Sequence, residues 1–316
     1  MKKTQEYLTT AANLQETQRV EVGMNGEPGI VNLCDFAFFL SVMQNKEAYS
    51  CVLSIILGEN DLQLTEVNVE KVVLNKSGKR AIRLDAWALD IRNRQFSIEM
   101  QNDDKSDHIP LRSRFYQSML DSPILKSGKA TRYKHLPPTV IIFITQEDIF
   151  KRDLAMYTFE EKCEEVENLY LEDGARKIFL NLTSKNGPDE LISLLQYIKK
   201  TELDNPDIIV RDSRIEKLDE IVQDVRASEE WEELSMNLLN YGIEKGMEKG
   251  EIISILKAID KKQKKKLNAA EIADMLELDI QMVEILLNVI LENPDGNEED
   301  WFAAYKMYNN QPSEPV

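Results

Sequence analysis

The sequence predicts an α/β fold, a mixed sheet flanked by helices and followed by an all-helical C-terminal appendage. Three observations carry this expectation. Residues 81–101 hold two strand-like runs separated by Arg92-Asn93-Arg94. Residues 139–145 form a continuous apolar run behind Pro137-Pro138, the pattern of a strand buried on both faces and reached by a crossover. After Asn205-Pro206 the strand patterns stop, and apolar residues recur at helical spacing.

In chain order, residues 1–32 form a polar arm punctuated by Gly23, Gly26, Pro28 and Gly29. Residues 36–57 are apolar at helical spacing and end at Gly58, a helix stop signal. Val67, Val69 and Val73 mark a strand over 66–74, and Lys76-Ser77-Gly78-Lys79 turns it into the next run. Together with residues 81–90 and 95–101 this predicts a three-stranded antiparallel meander. Residues 107–122 read as a helix, 176–182 as a further strand, and 189–199 as an amphipathic helix behind Asn186-Gly187-Pro188.

The appendage begins with Ile208, Ile215, Leu218, Ile221, Val222 and Val225 at helical spacing. Residues 244–251 repeat Glu-Lys-Gly, and glycine at that frequency weakens a helix, so the segment either has a packing partner or bends. Residues 268–276 and 280–291, with a tight turn at 277–279, resemble a helix-turn-helix. The second of these helices carries no Arg or Lys to reach bases or phosphates, which favours packing or a homodimer contact over DNA reading. The expected divisions are an arm (1–32), an α/β domain (33–203), an acidic helical region (204–293) and a tail (294–316) that carries Trp301, Phe302, Tyr305 and Tyr308.

Composition narrows the classes of function. Hydrophobic residues make up 42% of the 316, which excludes a mainly disordered chain. No apolar run is long enough to span a bilayer, and the start lacks a signal core, so no membrane partner is expected. Cys34, Cys51 and Cys163 are scattered, which points to a reducing, cytoplasmic compartment. With only His108 and His135, and no paired cysteines, a zinc site is not expected. The net charge of −17 disfavours a protein that coats nucleic acid, but its distribution is uneven. Residues 204–316 carry −13, leaving −4 for the preceding 203 residues, and residues 105–135 carry a local +5.

That basic stretch directly follows the main chemical signal. Thirteen residues separate Asp85 from Glu99, enough for one strand to end, turn and pair with the next. Glu99 and Gln101 then share one face of their strand, while Ile98 and Met100 enter the opposite layer. If Asp85 lies opposite, two carboxylates and an amide converge on a place suited to a hard divalent cation and an attacking water. Taken singly, these residues have ordinary readings as turn caps and solvated sheet positions.

The pattern Asp85…Glu99-Met100-Gln101 resembles the D…(D/E)-x-K signature of restriction-endonuclease-like nucleases, with Gln101 where the lysine usually stands. A Glu-x-Gln version is similar to the Rpn recombination-promoting nucleases, the PD-(D/E)XK nuclease family transposases. Other blocks extend the likeness across residues 33–200: Asp35-Phe36-Ala37-Phe38 and the helix behind it, Arg112-Ser113-Arg114-Phe115-Tyr116, residues 128–144, and residues 173–181.

The resemblance implies a Mg²⁺-dependent DNA endonuclease, with Mn²⁺ as a substitute, linked to recombination, mobile elements or defence. It implies Asp85, Glu99, Gln101 and Asp35 as catalytic residues, and Asp85, Glu99 and the Met100 carbonyl as metal ligands. Arg112, Arg114, Lys126, Lys129, Arg132 and Lys134 are the expected DNA contacts. Gln101 can orient a water but cannot act as a base at neutral pH and brings no charge. Two other readings stay open. One is a catalytically inactive nuclease-fold scaffold; the other is a DNA-binding regulator working through residues 268–291.

Overall fold

The computed structural model describes residues 31–74, 81–101, 108–125 and 132–309. Most of the expected arm, the turn at 76–79, and Lys126 and Lys129 lie outside these residues. The structure divides into two compact units, one ending at Met236 and the other starting at Asn237.

The first unit is built on a six-stranded mixed sheet ordered β1-β2-β3-β4-β6-β5. Strands β1 (Leu64–Val73), β2 (Ile82–Asp90) and β3 (Gln95–Gln101) form the antiparallel meander. Strand β4 (Thr139–Thr145) joins β3 in parallel and is buried along its whole length, as its unbroken apolar run requires. Strand β6 (Ala175–Asn181) continues in parallel, and the short β5 (Met156–Phe159), which no sequence signal marked, closes the edge antiparallel to it.

Helices cover both faces. On one side lie α1 (Phe36–Met43), α2 (Lys46–Leu57), α4 (Asp189–Lys199) and α5 (Ser213–Arg226), packed with Ala86, Ile98, Met100 and Ile142 into the larger core. Helix α2 starts where the Asn45 side chain accepts from the Glu47 and Ala48 N–H groups and stops at Gly58, whose φ of 67° suits a residue without Cβ. On the other side α3 (Ile109–Asp121) lays Ile109, Tyr116, Met119 and Leu120 against Ile141, Phe143 and Phe179. His108 caps α3, and Pro110 sits in its first turn, where no N–H is needed.

Helix α5 and the start of α6 (Glu229–Gln263) belong to the first core although they follow the expected division at 203/204. Ile215, Leu218, Ile221 and Val222 are buried in it, and Trp231 packs at a tilt against Phe38 with centroids 4.7 Å apart. Most of the acidic charge that marks these helices as an appendage is exposed, while Asp219 accepts a hydrogen bond from the hydroxyl of the core residue Tyr197.

The second unit holds the rest of α6 with α7 (Ala269–Leu276), α8 (Ile280–Glu292) and α9 (Glu298–Asn309) around Leu256, Ile259, Ile272, Val283, Leu286 and Trp301. Glu277 takes a left-handed φ of 55° between α7 and α8. The Glu-Lys-Gly repeat is continuous helix, and a Cβ at Gly242, Gly246 or Gly250 would meet no atom within 4 Å. No helix among the described residues is long and apolar enough to cross a membrane.

Candidate active site at the β2–β3 gap

The β2–β3 ladder pairs Leu89 with Gln95 and ends with Ala86 opposite Ile98. Past that point the Asp85 side chain takes over from the backbone: its Oδ2 accepts from the Met100 N–H at 3.0 Å. In return the Asp85 N–H points to Glu99 Oε1 at 3.4 Å. A strand residue directs its N–H and C=O to the same edge, so the Met100 carbonyl faces this gap as well.

Both carboxylates are buried, Asp85 with 6% and Glu99 with 1% of its surface exposed. Burial pushes the Asp85 carboxyl up to about 7, against the pull of Arg112. Burial, and then the charge of Asp85, hold Glu99 well above the usual carboxylate range. Glu99 Oε1 accepts from the Ser97 hydroxyl at 2.5 Å, but the buried Oε2 has no hydrogen-bond partner. Two buried acids with an unmatched oxygen are costly unless a positive charge joins them.

One such charge comes from α3. Arg112 donates Nη1–H to Gln101 Oε1 at 2.7 Å and Nε–H to the Tyr116 hydroxyl at 2.9 Å, while its Nη2 stands 3.7 Å from Glu99 Oε2. Its side chain thus turns inward to the carboxylates rather than outward. Arg114, two residues on, is exposed, as are Arg132 and Lys134 in the short turn before β4. Asp35, at the start of α1, accepts the Asn32 N–H on Oδ2 at 2.7 Å within its own turn.

The donor set suits a hard cation. Asp85 and Glu99 supply carboxylate oxygens, Met100 adds a carbonyl on the same edge, and the orphaned Glu99 Oε2 lacks the partner that a cation would be. No group of three or more His, Cys, Asp or Glu able to hold a metal occurs among the described residues. A cation here would therefore keep much of its water, as Mg²⁺ does readily.

Three neighbours were not anticipated. Ser97 is one, and Tyr49, whose buried hydroxyl donates to the Ala86 carbonyl at 3.0 Å, is another. The third is Glu70, half-buried on β1, where Val69 pairs with Ala86 and Lys71 with Leu84, so that it lies across from Asp85. Glu70 has a left-handed φ of 50° and meets Arg83 at 3.3 Å. Around this irregularity the alternation of β2 breaks: Leu84 packs into the smaller core and Ala86 into the larger one. Ser97 was legible, since it shares the Glu99 face by strand period; Tyr49 and Glu70 had no local signal.

Comparison with curated proteins and with solved structures gave no match. A family model does match, described as PD-(D/E)XK nuclease family transposase, over residues 32–247. Nuclease activity, a DNA substrate and the use of divalent ions are properties of that family at large. The match covers well over half of the chain and includes the whole sheet with its acidic pair, so this protein belongs to the PD-(D/E)XK nuclease family transposases.

Proposed function

We propose that the chain is a divalent-metal-dependent DNA endonuclease that hydrolyses phosphodiester bonds during recombination, movement of mobile elements or defence. The observation that carries this reading is the buried Asp85–Glu99 pair at the β2–β3 gap, with Glu99 Oε2 unmatched. Asp85, Glu99 and the Met100 carbonyl would hold Mg²⁺, or Mn²⁺ in its place. When bound, the ion supplies Lewis acidity toward the phosphate and a lowered pKa for water.

The remaining work falls to this chain's own groups. Gln101 orients the attacking water through its amide, and Ser97 fixes the rotamer of Glu99 by its 2.5 Å hydrogen bond. Arg114, Arg132, Lys134, Lys126 and Lys129 contribute positive charge for the DNA backbone, and Arg112 contributes it beside the carboxylates. Asp35, the N-cap of α1, is the fourth catalytic residue of this reading. The reading also includes a cytoplasmic protein that pairs through its C-terminal helices, which light scattering of the purified chain tests.

The deciding experiment is plasmid cleavage with Mg²⁺, Mn²⁺, Ca²⁺ or EDTA, comparing the natural chain with Asp85→Ala and Glu99→Ala. Metal-dependent nicking or linearisation that both substitutions abolish is the expected result. No cleavage by the folded natural chain with any of these ions, or cleavage that persists in both variants, overturns the reading.

A further inference from the structure

Gln101 stands where restriction-endonuclease-like nucleases usually carry a lysine, and it brings no charge. A charge reaches the same place from another element. Arg112, in the first turn of α3, holds Gln101 Oε1 at 2.7 Å, and its guanidinium lies over the rings of Tyr116 and Phe143, 5.0 and 5.7 Å from their centroids. With the Tyr116 hydroxyl on Nε, the group is anchored on several sides and only 24% exposed.

Its relation to Glu99 is nevertheless incomplete. A settled arginine–carboxylate pair makes two short parallel hydrogen bonds. Here Nη2 stops 3.7 Å from Glu99 Oε2, and that oxygen has no hydrogen-bond partner. The guanidinium is close enough to offset the carboxylate charge and too far to satisfy its oxygen. A divalent cation would compete for that oxygen, and two positive charges a few ångströms apart in a buried site repel strongly.

Building on the metal-dependent reading above, we propose that Arg112 is the internal counterion of this site, supplying from α3 the charge that Gln101 lacks. It offsets Glu99 until a divalent cation takes the carboxylate, and its charge then faces the substrate phosphate. Arginine suits both roles because its donors can pass from a carboxylate to a phosphate without losing charge.

The test is calorimetric titration of the full chain with Mn²⁺ alone, in parallel with plasmid cleavage. Arg112→Met should bind Mn²⁺ roughly tenfold more tightly than the natural chain, since a like charge has been removed from beside the cation. The same variant should cleave more slowly. A merely structural arginine predicts the opposite for binding, because a loosened site holds the ion less well. Arg112→Gln keeps a hydrogen-bonding side chain without the charge and serves where Arg112→Met does not fold; the same tightening is expected. Arg112→Lys should stay near the natural affinity. Unchanged or weaker binding in folded Arg112→Met or Arg112→Gln overturns the proposal. If Glu99→Gln abolishes binding in that same series, the metal reading survives without it, whereas no binding by the natural chain removes both.

Discussion

The carboxylate of Asp85 accepts a 3.0 Å hydrogen bond from the Met100 N–H, just past the last paired position of β2 and β3. A side chain thus fills the place of a backbone carbonyl, and the two strands can part around a buried acid without leaving an amide unsatisfied. Asp85→Asn offers a nearly isosteric oxygen for this bond but loses the charge. We expect such a protein to fold normally and to lose cleavage by at least about 100-fold; circular dichroism and plasmid nicking on one preparation check both halves.

Stability should depend on pH through the same acids. Burial raises the Asp85 carboxyl to about 7 and raises Glu99 as well, so the folded protein holds protons that the unfolded chain releases near pH 4. Their stabilising contribution is complete below that pH and is lost as pH rises through the raised values, about 7 for Asp85. Without divalent ions, the melting temperature of the natural chain should fall between pH 5 and 7.5 relative to the Asp85→Asn, Glu99→Gln double variant. Parallel curves for the two proteins would contradict this.

Adding Mn²⁺ should reverse that trend, because a cation that binds only the folded, ionised site stabilises it by mass action. The rise in melting temperature should be larger at pH 7.5 than at pH 5.5 and absent from the double variant. Differential scanning fluorimetry at the two pH values reads it directly.

Placing at position 101 the lysine usual in restriction-endonuclease-like nucleases should not give a better enzyme. In Gln101→Lys a second cation would face Arg112, whose Nη1 now donates to Gln101 Oε1. We expect Gln101→Lys to cleave less than the natural chain, and Gln101→Lys combined with Arg112→Met to regain part of the loss. Independent, additive effects in this double-mutant cycle would show that the two positions do not share one charge.

In the second unit, the Glu-Lys-Gly helix carries glycines whose Cβ positions are open. Gly246→Ala and Gly250→Ala should each stabilise that unit by about 0.5–1 kcal/mol, by helix propensity alone. Thermal unfolding followed by far-ultraviolet circular dichroism, with the two substitutions made singly and together, measures the gain; a loss would reveal a helix–helix contact at these glycines.

Much of this architecture is legible in local pattern. The unbroken run at 139–145 is the buried central strand, and the two-residue period of 95–101 puts Glu99 and Gln101 on one face with Ile98 and Met100 on the other. Helix starts at Asn45 and Asp212 and the stop at Gly58 follow from side chains that satisfy end groups or permit a left-handed φ. Strand β5 escaped because its four residues are half-exposed and gain order only by pairing with β6. Composition places the helix at 213–226 in an appendage because it registers the exposed acidic residues, whereas membership of the core depends on the four buried residues of the inner face.

By itself the sequence determined the α/β class, the meander, and the acidic pair carried on it, because alternation and turn chemistry act between near neighbours. The tertiary structure decided what those acids face. Arg112 could be read as a basic surface residue until α3 packed on β4 and carried its guanidinium to Gln101 and Glu99. Glu70 became a neighbour of Asp85 only through pairing across the β1–β2 turn, with a left-handed residue inside a strand that no residue type announces. The physical reason is common to both. Burying a charge is costly, and which opposite charge offsets it depends on packing between distant segments that no local rule specifies.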